Sequence, residues 1–375
     1  MKRQLLITFI FFLFGNLAFG QNTYLFVGSY TDSKKTDGIY VFDFNSETGA
    51  LKEVEREGNL INPSFLSLSP NGKYLYACTD TRLKTHGSIS AFSIDSLTGK
   101  LTYINKQTTG GRNPAHVTVS QNNKHVVVSN YSDPSVSFFK VNEDGSIQPM
   151  AQFFAYEKGS GVLPSRQKEA HMHSSIFSPD EKYVFSPDLG SDKIRAFRYH
   201  PKKQLRQSEA HTVNTAPGAG PRHFTFHSNG VYGYSIDELS GQVTFYTYKK
   251  GHLEFRKSYN SYEKEHNSYA SADIHISPDG KFLYASNRKA ENTISIFKIN
   301  THNGELSLVG HQSTLGNIPR SFVIDPTGRF LIVANKTSNS LVVFKRDTET
   351  GLLTKIEEIN GILTPSSLKM RRYAH

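Results

Sequence analysis

Four side chains of this sequence have types that could do acid–base and electrostatic chemistry on an anionic or oxyanion-forming substrate: His173, Arg222, Glu238 and Arg288. A histidine titrates near neutral pH and can take a proton from water, and a glutamate can do the same when its environment raises its pKa. Arginine offers a planar fork of donors that suits a carboxylate, a phosphate or a developing oxyanion. His173 and Arg222 fall in one register of adjacent repeats, and Glu238 and Arg288 share a second register one ring over. The four converge if both registers open on the same end of a central channel. The residue types leave open which of His173 and Glu238 is the base. They also fit a role in tying neighbouring repeats together.

The registers come from a motif written seven times. Tyr24-Leu25-Phe26-Val27, Tyr74-Leu75-Tyr76-Ala77, His125-Val126-Val127-Val128, Tyr183-Val184-Phe185-Ser186, Val231-Tyr232-Gly233-Tyr234, Phe282-Leu283-Tyr284-Ala285 and Phe330-Leu331-Ile332-Val333 all read as aromatic and β-branched strands. Six of them follow a tight turn such as Ser69-Pro70-Asn71-Gly72, where Pro, Asn and Gly pre-set the backbone. The turns begin at Ser69, Ser120, Ser178, His227, Ser277 and Asp325, so the intervals are 51, 58, 49, 50 and 48 residues. A third strand follows with period-2 alternation, as in Thr293-Ile294-Ser295-Ile296-Phe297, and a fourth begins after turns such as Thr98-Gly99-Lys100-Leu101. Each unit is a four-stranded antiparallel meander, the blade of a β-propeller.

The ends of the chain complete the ring. The first repeat lacks the strand that elsewhere precedes the turn, and the last leaves a spare one, Pro365–Met370. Joining them predicts an all-β, seven-bladed propeller over residues 21–375, closed by its C-terminal strand, with no open sheet edge between first and last blade. The first strand of each blade lines the channel. One ring of positions there is Ser64, Ala115, His173, Arg222, Ala272, Arg320 and Ser366; the other is Tyr30, Asp80, Tyr131, Leu189, Glu238, Arg288 and Lys336. His116 and His223 stand one residue out of register with His173, so strand alternation turns them away. Like His275 they read first as structural histidines, with His116 and His223 the candidates to join Arg320 and Tyr131 in contacting a substrate.

The segments Gly218-Ala219-Gly220-Pro221-Arg222-His223-Phe224, Asp237-Glu238-Leu239, Ala272-Asp273-Ile274-His275 and His173-Ser174-Ser175-Ile176-Phe177 resemble the bacterial propeller lactonase family. That family includes the propeller type of 6-phosphogluconolactonase and, more distantly, the 3-carboxy-cis,cis-muconate lactonizing enzyme. The resemblance covers the chain after Gln21. It implies hydrolysis of a sugar-acid lactone, without a cofactor, by a cluster that falls on His173, Arg222, Glu238 and Arg288. Two departures stand out: Ile236-Asp237 precedes the glutamate where an asparagine is usual, and an extended loop around Gly159–Pro164 accounts for the 58-residue interval.

The rest of the sequence narrows the function classes. Lys2 and Arg3, an apolar run from Leu5 to Phe14 and the small-residue site Ala18-Phe19-Gly20 form a signal-peptide pattern over residues 1–20, too short to span a bilayer. Export to the periplasm or beyond follows, with cleavage after Gly20 and no membrane insertion afterwards. The formal charge of +10 falls to +8 without Lys2 and Arg3. That balance suits a small anionic substrate, and the singly scattered basic residues do not form a nucleic-acid groove. Glu169, His171 and His173 lack the spacing of a dependable metal site, so no metal is expected. Cys78, alone and set in a strand, forms no intramolecular disulfide and reads as an inert buried thiol. A monomer is expected. Two alternatives remain at this level: a lactonizing enzyme running the same chemistry in reverse, and a non-catalytic envelope propeller that binds small anions or proteins.

Overall fold

The Ser-Pro-Asn/Asp-Gly turns set the blades because each brings a side-chain acceptor back onto its own backbone. In the first, Ser69 Oγ donates to Asn71 Oδ1 at 2.7 Å and accepts from the Tyr74 amide at 2.9 Å, while the Gly72 amide reaches the Ser69 carbonyl at 2.8 Å. The fourth residue needs a left-handed backbone, met by Gly72 at φ 75° and Gly280 at φ 71°, and by Asn123 at φ 59° in another repeat. Chain direction reverses there, and the two flanking strands pair.

The protein is described here by a computed structural model covering residues 21–32, 34, 36–202 and 204–374. The leader assigned to residues 1–20 lies outside the described residues. Seven antiparallel sheets are present among them, six of four strands and one of five, where Val213–Asn214 adds to Lys193–His200. The closing blade is ordered Pro365–Ala374, Gln21–Ser29, Ile39–Phe44, Leu51–Glu57, with Leu25 opposite Met370 and Val27 opposite Leu368. The C-terminal strand therefore completes the first blade, as the spare repeat predicted.

Second strands such as Phe282–Asn287 and Phe330–Asn335 are buried at every position. Their aromatic and β-branched side chains fill both faces, and the core is split into clusters between neighbouring blades. One cluster joins Leu25, Val27 and Phe42 to Ile332, Leu341 and Val343. The third strands alternate for a different reason from a solvent-facing sheet. In Thr293–Ile299 the serine Ser295 is buried, takes a bond from Asn287 Nδ2 at 2.8 Å and donates to the carbonyl of Ser261, which follows the last strand of the preceding blade, so its polarity serves an interblade network.

Where the inner strands begin, the pairing register slips. The shifts fall between Pro114 and His116, Pro221 and His223, Ser271 and Ile274, and Pro319 and Ser321. Ala115, Arg222 and Arg320 are the extra residues of these β-bulges, a device that re-aims side chains. It also reverses the expectation for His116 and His223. After a bulge the next residue no longer alternates away, and both rings face the channel, 5.6 Å apart between centroids.

Candidate active site

Pro221 opens the inner strand that carries Arg222, and the loop before it is held by an unusual staple. Asp192 accepts the Gly218 amide at 2.8 Å and the Gly220 amide at 2.9 Å. Gly220 sits at φ 61°, and a Cβ there would come within 2.5 Å of Leu239, so glycine is required where this loop crosses the Asp237-Glu238-Leu239 corner. The Glu238 amide bonds back to the Gly220 carbonyl at 2.8 Å. The loop and the corner thus fix one another, and Glu238 points inward at the start of the inner strands.

Glu238 is the centre of a buried arginine cluster. Its carboxylate meets Arg166 at 2.7 Å, Arg222 at 2.9 Å and Arg288 at 2.9 Å. Burial would raise its pKa, but Arg288, Arg222 and Arg166 outweigh that and hold the carboxyl far below the usual range. Glu238 is therefore a permanent anion that orders three guanidinium groups. Arg288 is further fixed by the carbonyls of Ala270 at 2.8 Å and Ser271 at 3.0 Å.

The cavity beside this cluster measures about 160 Å³ and is lined by Tyr30, Arg82, Asn113, Ala115, Tyr131, His173, Glu238, Arg288 and Arg320. Of the residues singled out in the sequence, it brings together His173, Glu238, Arg288, Arg320 and Tyr131. Arg222 does not line it. Only 1% of Arg222 is exposed, and its donors are used on Glu238, on the Ala272 carbonyl and on His223 Nε2 at 3.2 Å. It stands behind Glu238 as a support. His116 and His223 lie deeper in the channel and line a different cavity.

His173 is almost completely buried, and its Nδ1 has no hydrogen-bond partner. Burial, then Arg222, His223, Arg320 and Arg288, push its pKa well below the ordinary value. The ring is neutral at physiological pH. His171 diverges from it and stacks on Tyr131, with ring centroids 4.3 Å apart. Among the described residues no group of three His, Cys, Asp or Glu side chains is arranged to hold a metal ion.

A second cationic group surrounds Tyr30 at the wall of this cavity. Arg82 lies 3.6 Å above the Tyr30 ring, Lys336 5.1 Å and Arg320 5.7 Å from its centroid. Burial, then Arg82, Arg320 and Arg288, push Lys336 down to about 8. Asp80, the ring position expected at this mouth, instead pairs with Lys106 at 3.0 Å, and Arg82 two residues on takes its place with φ 61°. Nothing in the repeat pattern marked Arg82. Arg166 did have a signal, the long interval: the inserted loop carries the short helix Pro164–Gln167, and Gln167 Nε2 bonds Asp192 Oδ1 at 2.7 Å. The same aspartate therefore positions both the loop before Arg222 and the insertion that delivers Arg166.

Comparison with known proteins agrees with this architecture. A 6-phosphogluconolactonase of Formosa agariphila is 51% identical over 94% of this chain and all of its own length. One from Bacillus subtilis is 37% identical over 92% of this chain and 97% of its own. The periplasmic gluconolactonase of Pseudomonas aeruginosa superposes with a TM-score of 0.88 at 31% identity, covering 94% of this chain and 99% of that one. Residues 24–369 match the family described as lactonase, 7-bladed beta-propeller, and the chain belongs to that family.

Proposed function

We propose that the chain hydrolyses a sugar-acid lactone bearing an anionic group, and that His173 is the general base. The observation that carries this reading is a neutral imidazole, His173, lining the same cavity as Arg288 and Arg320. Glu238 is the poorer proton acceptor because three arginines stabilise its charge.

In the proposed reaction His173 takes a proton from water as the oxygen attacks the lactone carbonyl. The tetrahedral oxyanion forms beside Arg288, whose guanidinium is pre-oriented by Glu238 and two carbonyls. Collapse breaks the ring C–O bond, and the proton on His173 passes to the leaving alkoxide. A carboxylic acid remains and ionises. Arg82, Arg320 and Lys336 would hold the anionic end of the substrate against the Tyr30 face.

The leader pattern of residues 1–20 supports action outside the cytoplasm, as does likeness to the periplasmic gluconolactonase of Pseudomonas aeruginosa. Among the described residues no helix is long and apolar enough to cross a membrane. One chain supplies every residue of the site, so a monomer suffices.

The test is a hydrolysis screen of glucono-, galactono- and 6-phosphogluconolactone, corrected for spontaneous opening. Enzymatic opening of at least one, with lower KM for the phosphorylated lactone, is expected. No acceleration of any of the three would overturn the assignment.

A further inference from the structure

Three guanidinium groups share Glu238, but they are not equally placed. The Arg222 side chain is 1% exposed and that of Arg288 11%, whereas 35% of the Arg166 side chain is open to solvent. Arg166 Nη2 donates to Glu238 Oε1 at 2.7 Å and lies 3.5 Å from the Tyr131 hydroxyl. Both of those residues line the cavity at His173, so the guanidinium stands at its outer edge, between two of its walls. An arginine carries five N–H donors, and here only Nη2 is engaged; among the described residues nothing accepts from Nε or Nη1.

The group is aimed before any ligand arrives. It rides on the insertion that makes one repeat longer than the others, and that insertion is anchored from within. Gln167 is completely buried and donates to the Leu189 carbonyl at 2.9 Å and to Asp192 Oδ1 at 2.7 Å, while its own Oε1 accepts the Leu163 amide at 3.2 Å. The Gly161 amide bonds the Gln167 carbonyl at 2.9 Å, and Lys158 pairs with Glu169 across the base of the insertion. Donors held in this way need little further ordering when they bind.

The order of the blades says which part of a substrate they meet. Tyr30 belongs to the closing blade; Lys336 and Arg320 come from the blade before it and Arg82 from the blade after it. The insertion leads into the blade of Tyr183–Asp188, which stands third on from the closing blade in the ring of seven, across the channel from Tyr30. His173 enters from that same side. The inference rests on reading the cavity as a lactone site: with the anionic end held at Tyr30, the lactone ring lies towards His173 and Arg166.

The chemistry at this edge suits a neutral hydroxyl better than a second anion. Glu238 is ionised and already lies 2.7 Å from the Arg166 guanidinium, so another anion there would meet a like charge. A hydroxyl meets no such penalty. It can accept from Arg166 and donate to the Tyr131 oxygen, a pairing that a donor-only guanidinium could not complete alone. We propose that Arg166, with Tyr131, is a specificity-determining residue that reads the hydroxyl groups of the lactone ring, at the end of the substrate remote from its anionic group.

The test separates this role from the support that Arg166 gives Glu238. Arg166→Lys keeps a positive charge for Glu238 and loses the fork with its free nitrogens; Tyr131→Phe keeps the ring that stacks on His171 and loses only the hydroxyl. Both are assayed on whichever of glucono-, galactono- and 6-phosphogluconolactone the wild type opens fastest, with δ-valerolactone, which carries no hydroxyl group, as competing ligand. Arg166→Lys should raise KM about ten- to a hundredfold, the range for a hydrogen bond to a charged group, and Tyr131→Phe about two- to tenfold. The loss should fall on KM rather than kcat, and the inhibition constant of δ-valerolactone should stay unchanged. A fall in kcat at unchanged KM would make Arg166 only a prop for Glu238 and overturn the proposal. So would an unchanged KM in both variants, or a KM and a δ-valerolactone constant that rise together, the sign of a distorted cavity. These three results leave the wild-type rate intact and refute the hydroxyl contact alone; a wild type that opens none of the lactones refutes the lactone reading with it.

Discussion

Replacing Glu238 by glutamine separates what the arginine cluster does from what a simple base would do. The substitution keeps the shape of the side chain and removes the one negative charge shared by Arg166, Arg222 and Arg288 at 2.7, 2.9 and 2.9 Å. Arg222 is 1% exposed and has no second carboxylate within ion-pair distance among the described residues. Leaving such a charge unpaired costs about 3–5 kcal/mol. At about 2.1 cal/mol/K per residue, residues 21–375 have an unfolding entropy of about 0.75 kcal/mol/K, so the melting temperature should fall by about 4–7 °C. Activity should fall further than stability accounts for. Arg288 loses the anion that aims it, and losing one oxyanion donor typically costs about 10²–10³ in kcat. The assay is lactone hydrolysis well below the melting point, on the same preparation used for calorimetry. A variant with an unchanged melting temperature would refute the burial argument. One that melts early but keeps its wild-type rate while folded would refute the catalytic one.

Three further outcomes are expected. His173→Asn should lower kcat/KM by about 10² or more, the usual yield of acid–base catalysis, with little loss of stability because Nδ1 has no partner to lose; a rate within about tenfold of wild type would remove His173 as the base. Lys336, pushed down to about 8, is charged below that pH and neutral above it, so KM for a phosphorylated lactone should rise as pH passes through about 8, and Lys336→Met should abolish the rise. N-terminal sequencing of protein recovered from the cell envelope or medium should begin at Gln21, and material starting at Met1 would refute export through a cleaved leader.

The propeller was legible in the sequence because its signal is repeated. Each Ser-Pro-Asn/Asp-Gly turn is a local hydrogen-bonded unit, and seven copies of one strand pattern fix the blade number even where a single copy is degenerate, as at Val231, which lies just outside the strand Tyr232–Asp237. The site was legible only where it obeys the repeat. His173, Arg320, Tyr131, Glu238 and Arg288 share the cavity because repeat register is spatial register around a ring. Two of the three failures sit where the period breaks. Arg166 rides on an insertion and Arg82 on a left-handed residue two places past its ring position, while Arg222 holds the same bulge position as Arg320 but is drawn behind Glu238 by their ion pair.

The histidines show why counting alternate residues could not succeed there. Pro221 faces Asp237 and His223 faces Ile236, so two steps along one strand match a single step along its neighbour. A bulge of this kind lets consecutive residues both address the channel: Arg222 reaches Glu238 while His223 reaches Asp273 and the edge of His173. The channel thereby gains two polar layers from one stretch of strand, the cavity at His173 above and the one at Lys369 below. A strictly alternating strand would have turned His223 into the interblade core, where its Nδ1 proton and the Asp273 carboxylate would each need another partner.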